Sequence, residues 1–118
     1  MRLTAHIIIA ALLICSVVLT AGEHPSLVIT VGEAAAIRED MGKYPRFVRS
    51  FEAMKARVET ALNRPIEVPP PGEGGGYEHE RHKQNYREMQ EAGIYFTITG
   101  DKRAAGFIRD MLLKYADL

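Results

Sequence analysis

Apolar residues recur at steps of three and four along most of this chain, and that period predicts helices with no convincing strand. Thr30-Val31-Gly32-Glu33 reads as a capping box, in which the hydroxyl accepts from the third amide and the glutamate reaches back. The helix it opens is expected over Ala34 to Met41, with Gly42 as its stop. Pro45 suits the first turn of a second helix. Phe47, Val48, Phe51, Met54, Val58, Ala61 and Leu62 then make one stripe, and Pro65 ends it. A third helix is expected from about Glu78 to Thr99. Its main apolar stripe is Tyr86, Met89, Gly93 and Phe96, extended one turn by His82. From Ala92 onward Ile94, Tyr95 and Ile98 fill the other face, as in a helix buried between neighbours. Gly100-Asp101 gives a stop and then a cap. The fourth helix carries Ala104, Phe107, Ile108, Met111, Leu112 and Tyr115 on one side, making an antiparallel hairpin with the third. The fold class expected is all-α.

One composition break interrupts this pattern, between residues 64 and 76. Pro69-Pro70-Pro71 favours a stiff extended segment and Gly74-Gly75-Gly76 a pliable one. The segment reads either as a plain linker or as a strap laid across a surface, its glycines permitting close backbone approach. No strand precedes the glycines and no lysine–serine pair follows them, which argues against a phosphate loop.

The N-terminus changes the picture further. Met1-Arg2, the apolar run Ile7 to Leu19 and the small residues Thr20-Ala21-Gly22 have the form of a secretory signal peptide over residues 1–22. The run is short of the roughly 20 residues a membrane-spanning helix needs. Cys15 is the only cysteine. Ile14 stands before it where a lipoprotein signal wants a small residue, so a lipid anchor is disfavoured. The mature chain, 23–118, is then expected in the periplasm or outside the cell with no disulfide. Fifteen Lys+Arg balance fifteen Asp+Glu. That balance gives no global electrostatic reason to bind nucleic acid or an anionic membrane. A single domain of about 96 residues buries only roughly 60–65% of its unfolded surface. The third helix nevertheless asks for partners on two sides, so the chain reads as the opening of something larger.

Chemistry concentrates where the strap meets the third helix, from Gly72 to Tyr86. His79-Glu80-Arg81-His82 resembles the zinc-protease pattern but is one residue short, so no metal site is expected. On a helix His79, His82, Lys83 and Tyr86 fall within about a 100° arc. Lys83 as a charge, with the ring N–H groups and the Tyr77 hydroxyl as donors, can bind a carboxylate, helped by the free amides of the first turn. The candidate substrate-binding residues are therefore Tyr77, His79, His82 and Lys83. The blander reading makes His82 a hydrogen-bonded histidine at the core edge, Tyr86 core, Lys83 solvated and Asn85 bonded to a neighbouring backbone.

Four segments in order carry a resemblance: His24-Pro25-Ser26-Leu27-Val28-Ile29-Thr30, Pro65-Ile66-Glu67-Val68-Pro69, Gly75-Gly76-Tyr77-Glu78-His79-Glu80-Arg81-His82-Lys83 and Thr99-Gly100-Asp101-Lys102. Together they resemble the start of an oligoalginate lyase of polysaccharide lyase family 17, related to heparinase II/III-type lyases. The resemblance implies an (α/α) toroid, incomplete in this chain, followed by an antiparallel β-sheet domain. It implies cleavage of alginate oligosaccharides, an acidic substrate, by β-elimination. It places the tyrosine and histidine that move protons, and the asparagine–histidine pair that helps neutralise the carboxylate, later in the toroid. A structural zinc belongs to the later β domain, so no catalytic residue, cofactor or metal carries over, and the chain alone is expected to be inactive. The alternative is a non-catalytic, tetratricopeptide-like helical hairpin module, although no period near 34 residues recurs.

Overall fold

The computed structural model describes residues 28–72 and 76–118. The expected signal peptide, residues 1–22, lies outside the described residues, as do Glu73, Gly74 and Gly75 of the strap. The described residues form four helices and no strand: α1 Val31–Asp40, α2 Pro45–Leu62, α3 Gly76–Thr99 and α4 Lys102–Ala116.

Local chemistry sets the ends. Thr30 has extended backbone, its hydroxyl accepts from the Glu33 amide at 3.1 Å, and the Glu33 carboxylate accepts from the Thr30 amide at 2.8 Å. Both halves of the capping box are thus in place, and the residues between them are already helical, so α1 starts at Val31 rather than Ala34. Pro45 opens α2, where its missing N–H costs no intrahelical bond. Gly100 takes a φ of +74° and donates to the Phe96 carbonyl at 2.7 Å, closing α3. Asp101 then accepts from the Arg103 amide at 2.9 Å and opens α4.

That two-residue connection folds α4 back on α3. His82 meets Tyr115 near one end of the pair, and Gly93 faces Ile108 further along, so the helices run antiparallel. α2 packs against both. The core lies where the three meet and contains Val58, Ala61, Ala92, Tyr95, Ala104, Phe107 and Met111. Phe51 of α2 stacks on Tyr95 of α3 with ring centroids 6.0 Å apart. Burying each large side chain of this set is worth about 1.5–3 kcal/mol. The stripes expected for α2 and α4 supply much of this core, but Phe47 and Val48 lie outside it and Leu112 stays exposed.

α1 is held differently. It packs on α3 and not on α2, and buries only Ala34. Arg38 donates from Nη1 to the Thr97 and Ile98 carbonyls at 3.1 and 2.9 Å. A cation at those last-turn carbonyls also complements the negative end of the α3 dipole.

The buried face of α3 differs from the expected stripe. Tyr86 and Phe96 are exposed, and the buried residues are Arg81, Asn85, Ala92, Tyr95 and Ile98. The buried arc is displaced by one position, about 100° of rotation. Hydropathy points to the wrong arc because two of its members are polar. The N-terminal half of α3 packs against the strap, whose backbone carbonyls require donors.

The strap–helix junction as candidate functional site

Residues Pro65 to Pro71 lie on the helices as a strap. Ile66 and Val68 pack against the core, and Pro69 is buried. The strap backbone is then pinned by side chains from two helices. Asn85 Nδ2 of α3 donates to the Glu67 carbonyl at 2.8 Å, and Lys114 Nζ of α4 donates to the Ile66 carbonyl at 2.9 Å. Tyr77 donates from its hydroxyl to Glu67 Oε1 at 2.9 Å, and Arg81 Nε lies 3.9 Å from Glu67 Oε2. Arg64, just before the strap, pairs with Glu88 of α3. A Cβ on Gly72 would meet the end of the flexible Glu78 side chain and no backbone.

The four sequence candidates separate onto different duties. Tyr77 is a strap clamp. The hydrogen bond to Glu67, and then that carboxylate's charge, hold its phenol above the ordinary range, so the hydroxyl remains a donor. His79 is exposed near the start of α3. Lys83 is exposed and bonds to Glu80 Oε1 at 2.9 Å, which holds that carboxyl below its ordinary range. His82 is half-buried with Nδ1 2.9 Å from the Tyr115 hydroxyl. No two of the four bond to each other among the described residues. Among the described residues no group of three or more His, Cys, Asp or Glu able to hold a metal converges there either.

Asn85 joins two parts of the junction. Its side chain is fully buried, and its amide also reaches the Tyr115 hydroxyl, at 3.2 Å. Tyr115 in turn stacks on Tyr86 with centroids 5.6 Å apart. Arg81 is 9% exposed, and its Nε and Asn85 Oδ1 are buried without hydrogen-bond partners among the described residues. Arg81, Glu67 and Tyr115 were not among the sequence candidates. The signal that could have found Arg81 is the 81, 85, 92, 95 spacing, which continues the Ala92–Tyr95 face backwards through polar residues.

A polar groove of about 340 Å³ borders the junction between α2 and α3, and Lys83 lines it. Its charges are mostly matched, as Arg57–Glu91, Arg64–Glu88 and Lys83–Glu80 pairs. The junction can therefore present donors on the outer face of α3 while its inner face holds the strap.

Four helices without a strand among the described residues are consistent with a fragment of an (α/α) toroid. The chain is 34% identical over 96 residues to an exo-oligoalginate lyase of Saccharophagus degradans (strain 2-40), covering 80% of this chain and 13% of that protein. It is 33% identical over 93 residues to an alginate lyase of Stenotrophomonas maltophilia (strain K279a), covering 78% of this chain and 12% of that protein. No protein-family profile matches the chain. A match over 78–80% of 118 residues must include Tyr77 to Tyr86 wherever it begins. The chain is similar to a segment of these alginate lyases and spans about an eighth of their length.

Proposed function

We propose that this chain is the N-terminal toroid segment of an exported alginate lyase that cleaves alginate oligosaccharides by β-elimination at uronic acid residues. The observation that carries the reading is the 33–34% identity to two alginate lyases across nearly four-fifths of the chain. Elimination needs the uronate carboxylate neutralised, a base for the C5 proton and an acid for the leaving oxygen. No residue of this chain is assigned as base or acid. Tyr77 in particular is a poor base, because Glu67 favours its protonated form. The segment's own contribution is to shape one wall of a cleft. Tyr77 works from within by holding the strap, while His79, His82 and Lys83 face outward toward an acidic sugar.

The family reading is tested with a chimera, in which this chain's matched span replaces the corresponding span of the Saccharophagus degradans lyase. The chimera is expected to release unsaturated uronate from oligoalginate; a folded but inactive chimera would count against the reading. Incubated by itself, the 118-residue chain is expected to produce no rise in the ultraviolet absorbance of unsaturated uronate. For export, residues 1–22 fused to a reporter active only outside the cytoplasm are expected to give signal, and a silent fusion refutes that part.

A further inference from the structure

The hydrogen-bond arithmetic around Tyr115 bears on how His82 carries its proton. Asn85 Nδ2 lies 2.8 Å from the Glu67 carbonyl and 3.2 Å from the Tyr115 oxygen. The amide cannot be turned over, because Oδ1 would then face the Glu67 carbonyl, acceptor against acceptor. Both Nδ2 protons are thereby committed, one to Glu67 and one to Tyr115. The Tyr115 oxygen, accepting from Asn85, has a single proton to give, and His82 Nδ1 stands 2.9 Å away. Were Nδ1 to carry a proton instead, the hydroxyl proton of Tyr115 would have no acceptor among the described residues. The arrangement that satisfies Asn85 Nδ2, the Tyr115 hydroxyl and His82 Nδ1 together has Tyr115 donating to a bare Nδ1. In the uncharged ring the proton is then on Nε2. That nitrogen has no partner among the described residues and is not among the atoms sealed from solvent.

The surroundings say what such a donor could meet. Tyr86, one turn on from His82 and stacked on the same Tyr115 ring, is 56% exposed. His82 and Tyr115 rings also lie against each other, with centroids 5.6 Å apart. Glu80 is engaged by Lys83. A fixed N–H beside an open aromatic face suits a ligand with an anionic acceptor on an otherwise apolar ring face, as a uronate offers.

We propose that Asn85 and Tyr115 are positioning residues that fix the uncharged His82 ring as its Nε2–H tautomer, making it a preset donor to a uronate carboxylate beside Tyr86. The ligand half rests on the alginate lyase reading above; the tautomer half does not. Together they assign to the backbone-bound Asn85 a role in orienting an outward-facing group through Tyr115, much as outer-shell partners orient catalytic and metal-binding histidines.

Nitrogen-15 NMR of the full chain labelled at histidine tests it, with His82→Gln identifying the His82 signals. Wild-type His82 is expected to show a protonated Nε2 and a bare Nδ1. A dominant Nδ1–H form overturns the proposal whatever the variants do. Tyr115→Phe keeps the stacked ring and removes the hydroxyl, and is expected to leave His82 as a mixture of tautomers; an unchanged pattern in the folded variant also overturns it. Titration with oligoalginate is expected to move the Nε2 signal, while a neutral cello-oligosaccharide does not. Affinity should fall about tenfold in His82→Gln, the loss of one hydrogen bond to a charged group. Oligoalginate binding seen by calorimetry with the His82 signals unmoved overturns the ligand assignment and leaves the family reading standing. An inactive chimera, by contrast, removes the family reading and leaves the tautomer result intact.

Discussion

The two halves of α3 are held by different forces. From Met89 to Thr99 the helix buries Ala92, Tyr95 and Ile98 against its neighbours, and non-directional apolar burial fixes it. From Gly76 to Glu88 it buries Arg81 and Asn85 instead, and its partner is the strap, met through a carbonyl and a carboxylate. Apolar faces tolerate sliding and repacking, whereas a buried amide with two named partners permits one register. The half that carries the candidate site is the half built from directional contacts. Positioning side chains such as His82 needs that kind of support more than it needs bulk stability.

The largest expected effect lies in the apolar half. Tyr95→Ala removes a buried ring and its stack on Phe51, and should cost about 3–5 kcal/mol, read as loss of cooperative melting by circular dichroism. In the polar half Asn85→Leu keeps most of the volume but strands the Glu67 carbonyl and leaves the Tyr115 hydroxyl without its donor. It should cost about 1–3 kcal/mol, the penalty for a buried group left unsatisfied. A neutral or stabilising Asn85→Leu would erase the contrast between the halves. Arg38→Gln, on α1 where it meets the last carbonyls of α3, should cost about 0.3–1 kcal/mol in thermal melts, with the loss shrinking as salt is added.

The same contrast explains which features were legible in the sequence. Thr30 with Glu33, Pro45, Gly100 and Asp101 act through bonds a few residues away, so their roles follow from spacing alone. The stripes of α2 and α4 are amphipathic and sit on the core as their period requires. In α3 the period was readable but its phase was not. Tyr86 looks like a core residue until Tyr115 and the strap take their places. The reading of Asn85 as bonded to a neighbouring backbone was right, although the carbonyl it meets lies eighteen residues earlier in the chain. Arg81 was passed over because a cation on a helix is usually solvated, and only the strap's position makes it a buried one.

The smallest effects are pH-dependent, and they should divide the molecule along the same line. Glu33 and Asp101 have carboxyls held below their ordinary range, Glu33 first by the Thr30 amide and Asp101 first by the Arg103 side chain. A depressed carboxyl stabilises the fold above its unfolded pKa, near 4, and that contribution is lost as pH falls through the folded value. Acid should therefore loosen the start of α1 and of α4 first. Tyr77 is shifted the other way, raised first by its hydrogen bond to Glu67 and then by that carboxylate's charge. A raised phenol contributes fully below its unfolded pKa, near 10, and that contribution is lost as pH rises through the folded value. Alkali should therefore release the strap from the head of α3 while the caps stay made. Amide hydrogen exchange followed residue by residue on the two sides of neutrality can separate these effects. Acid should raise exchange at Thr30 and Glu33 and at Arg103, and mild alkali should raise it around Glu67 and Tyr77 beyond the intrinsic increase. All of these groups are largely solvated, so the shifts should be small and should weaken with salt. A Tyr77→Phe chain that still loosens its strap in alkali would show that the Tyr77–Glu67 bond is not what holds the strap there.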